Sequence, residues 1–216
     1  MNETTYLIVL MLAITAFFAL VLKAFYDHQS PKSVLYIVAA LLFSWFAFGY
    51  FVLQQDMFSA LNMPRVAFAS IVTFPVIVGV LAYNFWSTFR STIDRMSTET
   101  FLSLQHMRTV FGILFFFTTA LPLFFQLIGG LGDIAAGVGA FLALRSLKKG
   151  DLTTSAAIIR GNIAGVLDFI IVFTLALTII LKHEPAALGD MFNLIPVVVV
   201  PIFILLHIAS LRLLKK

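Results

Sequence analysis

Three ionisable residues stand where an apolar chain should not hold them. Asp168 and His207 lie within long hydrophobic stretches, and Arg108 lies at the edge of one. A charged side chain at mid-helix in a bilayer costs about 2.5–3.5 kcal/mol on the insertion scale, so each needs a partner or a task. Asp168 follows Gly161, Asn162 and Gly165. Gly161, Gly165 and Asp168 fall on one helical face, so the carboxylate side is also the close-packing side. His207 stands near the end of the last apolar stretch, and Arg108 opens the fourth, just after Gln105 and His106. Gathered in one pocket, Arg108 pairs with Asp168, His207 lies nearby, and Asn162 and Gln105 supply amides. Such a set has two uses. The guanidinium holds an anionic group while Asp168 and His207 carry protons, or the set is interhelical glue worth about 0.6–2 kcal/mol per contact.

Other polar residues carry weaker signals. His106 and His207 are the only candidate haem ligands, at unequal depth. His28 and His183 fall in loops and read as solvated. Asp133, after Gly129-Gly130-Leu131-Gly132, reads as the start of a fifth helix at the outer surface, where it offsets the helix dipole or serves as an outer-face binding or gating residue. Those glycines are not a nucleotide loop, because no strand precedes them. No zinc-helix motif, nucleophile elbow or phosphate loop is present, and no residue is assigned a catalytic or metal-binding role. The balance leans away from an enzyme.

The elements that must position these residues are membrane spans. Of 216 residues 61% are hydrophobic and 11% charged, against about 25% charged in a soluble domain. The absence of cysteine excludes disulfides, thiolate metal sites, iron–sulfur clusters and thioether haem attachment. The formal charge of +4 does not point to nucleic acid, because the basic residues sit between apolar runs, where they set topology. Glu3 stands where a signal peptide would be basic, so the first run reads as a retained anchor, and no lipidation motif is seen. Seven spans are expected, at about 5–26, 33–54, 65–86, 107–128, 131–147, 161–181 and 193–213. The result is an all-α bundle forming a single transmembrane domain, with the lipid bilayer as its partner.

Charge placement orients the bundle. With the N-terminus outside, Lys23, Lys32, Arg90, Arg95, Arg108, Arg145, Lys148, Lys149, Arg160, Arg212, Lys215 and Lys216 fall on the cytoplasmic side, and only Arg65 and Lys182 fall outside. The C-terminus is then cytoplasmic. Gly129-Gly130 is expected to make a tight outer turn between the fourth and fifth spans, Gly150 to end the fifth, and Asp151 or Thr153 to cap the sixth. The connection 87–106 reads as a cytoplasmic amphipathic helix, with Phe89, Ile93, Met96 and Thr100 at helical spacing and a capping box from Ser91 and Asp94. Pro75, Pro122, Pro196 and Pro201 lie inside spans and kink them. The stripes Ala135/Gly139/Ala143 and Gly132/Ala136/Ala140 suit close helix packing. No internal repeat aligns the two halves.

From Gln105 onward the chain resembles a family of bacterial multi-pass membrane proteins with no assigned activity. The resemblance is carried by Gln105-His106-Met107-Arg108 with Gly112, Leu121-Pro122, Gly130-Leu131-Gly132-Asp133, Asn162 with Gly165 and Asp168, and Pro196, Pro201 and His207 before Leu211-Arg212. It covers about the C-terminal half and implies a bacterial inner membrane. The functional expectation is binding or transport of a small-molecule ligand through a polar pocket in the cytoplasmic half. The alternatives are a haem b or quinone-linked redox protein, and an accessory or assembly subunit of a membrane complex.

Overall fold

A computed structural model describes residues 2–58, 60–61, 64–118, 121–150, 154–180 and 190–213. The expected roles of Asp151, Thr153, Lys182, His183, Lys215 and Lys216 fall outside those residues. The described chain is all helical. Helix α1 is Glu3–Asp27, α2 Lys32–Gln54, α3 Pro64–Phe85, α4 Ser87–Arg95, α5 Thr98–His106 and α6 Arg108–Leu114, which tightens into a 3-10 turn at Phe115–Phe117. Helix α7 is Leu123–Lys149 and α8 Thr154–Leu175, widening to a π turn at Ala176–Ile180. A 3-10 turn at Met191–Asn193 and a π turn at Ile195–Val199 lead into α9, Val200–Leu213. Among the described residues, seven helical stretches are long and apolar enough to cross a membrane.

Their boundaries differ from the hydropathy reading in the middle of the chain. The fourth stretch is Thr98–Phe117, and the fifth is the whole of α7, 27 residues long. Gly129 and Gly130 lie inside α7 and make no turn. The break falls after Phe117 and before Leu123 instead, with Thr118 extended and Pro122 preceding the first residue of α7. Hydropathy missed it because the break is flanked by apolar residues on both sides. The carbonyls freed at the break are taken by the Gln126 amide, which donates to Thr118 O at 3.0 Å and Leu121 O at 2.7 Å. Residues 98–106, expected in a surface connection, therefore belong to the fourth stretch. Only α4 remains as the connecting helix. Its expected capping box is not formed, since Ser91 donates to Thr88 O and Asp94 accepts from Tyr83.

Local sequence explains the remaining ends. The Asn2 side chain caps Thr5 N at 2.8 Å, and Ser97 caps Thr100 N at 3.2 Å. Gly150 closes α7 at φ +67°, as expected of a helix-ending glycine. His28 is half-buried and ties two helices together. Its Nδ1 lies 2.8 Å from Ala24 O, and its Nε2 accepts from Ser97 N at 3.3 Å.

The core gathers where α1, α6 and α9 cross. Phe17 meets Phe203 at 4.8 Å and Phe111 at 5.7 Å, and Phe111 meets Phe203 at 5.9 Å. Proline 201 cannot donate to the carbonyl four residues back, and Trp45 supplies the missing bond from α2, with Nε1 2.9 Å from Val197 O. Helices α2 and α3 bury few of their residues and expose Phe43, Phe48, Phe51, Phe74, Ile77 and Leu81. That much apolar surface is stable only against lipid or another protein.

Candidate functional site

Helix α7 is the platform of the site, packed against α5, α6 and α8. Gly130, Asp133 and Gly137 share one of its faces at i, i+3 and i+7. A Cβ at Gly112 of α6 would lie 2.7 Å from Gly130 O and 2.8 Å from Ile134 N, so the two helices touch backbone to backbone. A Cβ at Gly137 would likewise lie 2.5 Å from Thr109 N and 3.0 Å from His106 O. This approach presses Arg108, one turn before Gly112, onto Asp133. The glycines read as a turn are a packing groove.

Arg108 is fully buried, and each of its three nitrogens has a partner. Nε donates to Asp133 Oδ1 at 2.7 Å, and Nη2 reaches Asp133 Oδ1 and Asp168 Oδ2, each at 2.5 Å. Nη1 donates to Gly165 O and faces His207 Nε2, both at 3.2 Å. The guanidinium carbon also lies 3.9 Å from the centre of the Phe169 ring. Four of its five N–H donors make hydrogen bonds, and Nη2 also lies in ion-pair contact with Asp133.

The network continues through amides. His207 Nδ1 lies 2.9 Å from Asn162 Oδ1, which also accepts from Gln105 Nε2 at 3.2 Å. Asn162 Nδ2 donates to Ile158 O at 2.9 Å and meets Ser210 Oγ at 3.1 Å, which fixes the amide orientation. His207 must then donate from Nδ1 and accept from Arg108 at Nε2. That is the neutral ring. Glycine makes room again: a Cβ at Gly165 would lie 2.6 Å from His207 Nε2 and 2.8 Å from Arg108 Nη1, and one at Gly132 would clash with Asp168 Oδ1.

All five residues singled out for the pocket, Arg108, Asp168, His207, Asn162 and Gln105, therefore meet. Asp133 joins them, which corrects its expected place at the outer surface. It stands ten residues inside α7, is 6% exposed, and neither begins nor caps a helix. The signal that finds it is its spacing with Gly130 and Gly137. The depth also shifts. Arg108 stands ten residues after Thr98 and nine before Phe117, near the middle of its stretch and not at its start. Gly161 has nothing within contact distance, so Gly165 alone carries the close approach on α8, and Gly139 is likewise open. His106 lies apart, with Nδ1 3.1 Å from Gly137 O and its ring beside Phe141. Both nitrogens of His207 are engaged by side chains, so ligation of an iron would require breaking one of these bonds.

A cavity of about 60 Å³ is lined in part by the two carboxylates. Its walls include Phe115, Phe125, Phe169 and Phe192, with Leu121 and Asn193 also in the lining. Arg108 uses Oδ1 of Asp133 and Oδ2 of Asp168. The other oxygen of each carboxylate accepts no hydrogen bond from the described residues. The amide network lies on the opposite side of Arg108, toward the start of α8 and the end of α9.

Residues 65–215 match a protein family described as a domain of unknown function, DUF8737, and the chain belongs to that family. The match begins well before Gln105, so it includes α3 and α4 as well as the motif-bearing half. No curated protein and no solved structure matched the chain.

Proposed function

We propose that this member of the DUF8737 family is a multi-pass protein of a bacterial inner membrane that binds and passes a small solute at the Arg108 cluster, coupled to proton exchange on the carboxyl pair. The observation that carries this reading is a buried guanidinium, every nitrogen engaged, set between two carboxyl groups that line a cavity. With His207 neutral, two ionised carboxylates outweigh Arg108 by one charge. An uncompensated charge among apolar helices is costly, and one proton or one bound cation removes it. The cavity reaches the cluster from one side and the amide network from the other, which suits a site opened alternately to each face. Its level near the middle of the bundle is where many transporters hold their substrates.

The orientation follows from the basic residues. With Arg108 now inside the bundle, eleven of the twelve cytoplasmic assignments remain against two outside. The cavity then faces outward and the amide network faces the cytoplasm.

The test is solute-driven proton movement in proteoliposomes carrying an internal pH dye. Addition of the transported solute, found from a panel of small cations, anions and neutral molecules, is expected to shift internal pH with the wild type. Asp168→Asn, with helical content unchanged by circular dichroism, is expected to abolish the shift. Equal responses from both proteins would overturn the reading.

A further inference from the structure

We infer that the solute is a compact organic cation, a methylated or short-alkyl ammonium, seated between the free carboxylate oxygens of Asp133 and Asp168 and the phenylalanine walls. This rests on the site proposed above and adds the ligand's class. Each alternative class meets a specific obstacle.

An anion has no donor to bind. All three nitrogens of Arg108 are engaged, by Asp133, Asp168, Gly165 and His207. The same anion would face two carboxyl groups. A bare metal ion needs a shell of oxygen or nitrogen ligands, and no group of three His, Cys, Asp or Glu able to hold one exists among the described residues. The cavity offers phenyl rings where those ligands would stand. A neutral apolar solute brings no charge to replace the proton on the carboxyl pair, so its arrival would not drive that proton off.

A cation with an apolar skin satisfies every wall. Phenyl faces attract cations through the ring quadrupole, and Phe169 already holds the Arg108 guanidinium in that manner at 3.9 Å. Phe115 and Phe192, edge to face at 4.6 Å, and Phe125, 6.4 Å from Phe115, cluster in the cavity's lining. At about 60 Å³ the space limits the ligand to a small group. The exchange is balanced. The proton on the carboxyl pair leaves as the cation arrives, and the charge of the cluster, set by Arg108 from α6, Asp133 from α7, Asp168 from α8 and neutral His207 from α9, is unchanged.

The test is titration calorimetry of the full chain in lipid nanodiscs. The probes are tetramethylammonium and pivalate, which share a branched apolar shape and differ in charge, and the buffers differ in ionisation enthalpy. Tetramethylammonium is expected to bind with release of about one proton, while pivalate gives no heat. Asp168→Asn is expected to weaken the cation by more than tenfold, and Phe125→Leu by several-fold. Pivalate binding that depends on Asp168 would overturn the ligand class and leave the site standing. Cation binding unaffected by Asp168→Asn would overturn both. Absence of binding by either probe to wild-type protein would overturn the ligand class, while the proteoliposome experiment judges the site separately. The selectivity series needs only the wild-type chain, so it stands even where a variant fails to fold.

Discussion

Helices α1 to α3 and helices α5 to α9 belong to one bundle but are held by different forces. Between α1, α2 and the neighbouring helices the contacts are side chain on side chain: Phe18 against Phe43 and Phe46, and Trp45 against Phe74. The polar ties found there include the Trp45 bond to the carbonyl freed by Pro201 and the bond from Ser97 N to His28. Between α6, α7 and α8 the helices are drawn together by glycine, and the space so made is filled by Arg108 and its partners. In lipid, burying one apolar side chain against another gains little over leaving it in hydrocarbon, so close packing and hydrogen bonds must supply the cohesion. The first region adapts its side chains to its neighbours. The second is a lattice around one charge, and it places two carboxylates in a cavity's lining.

The comparison breaks most visibly at Arg108. Arg108→Met leaves two buried carboxyl groups without their shared partner, and a loss of about 3–5 kcal/mol in unfolding free energy is expected from denaturant titration in micelles. Adding Asp133→Asn and Asp168→Asn to that variant is expected to restore part of the loss, because the uncompensated charges are gone. Gly112→Leu tests the lattice itself. Its side chain meets the backbone of Gly130 and Ile134, which cannot move aside as a side chain can, and the expected cost is about 1–3 kcal/mol or more, read as a fall in melting temperature. In the adaptable half, Trp45→Phe keeps the ring and removes one hydrogen bond to Val197 O. A loss of about 1 kcal/mol is expected by the same melting experiment.

The smallest effect concerns Asp190, which precedes the last helical stretch and lies outside it. Burial raises its pKa above the ordinary carboxylate value, ahead of the opposing hydrogen bond from Phe192 N, and nearby Glu3 raises it further. The folded state then holds this proton more tightly than the unfolded one. Its contribution to stability is greatest below the unfolded carboxylate pKa and falls as pH rises through the folded value. Asp190→Asn is expected to flatten the melting temperature against pH in the range above about pH 4. An unchanged slope would show that the shift has no energetic weight.

Much of the site was legible because polar atoms in apolar stretches are conspicuous. Arg108, Asp168, His207, Asn162 and Gln105 announce themselves by type, and helix parity brings their levels together. The depth of Arg108 and the role of Asp133 were not legible in the same way, for one physical reason. Hydropathy cannot distinguish a glycine that turns the chain from a glycine that lets two helices touch. Gly129-Gly130 was read as the first kind and behaves as the second, which displaced Asp133 to a surface and Arg108 to a helix start. The true break at Leu121-Pro122 was hidden by its apolar neighbours, and Gln126, which satisfies it, carries no signal until the break is known. The Trp45 bond was illegible too, since its acceptor is a backbone atom 152 residues away.

The central claim is that one proton or one cation balances two carboxyl groups against a single guanidinium. Infrared difference spectroscopy of the protonated carboxyl C=O stretch measures this most directly, on wild type and on Asp133→Asn and Asp168→Asn at neutral pH. The account predicts one protonated carboxyl in the ligand-free wild type, absent from at least one of the two variants and displaced when tetramethylammonium is added. A wild-type spectrum without a protonated carboxyl band, at low as at neutral pH, would contradict it.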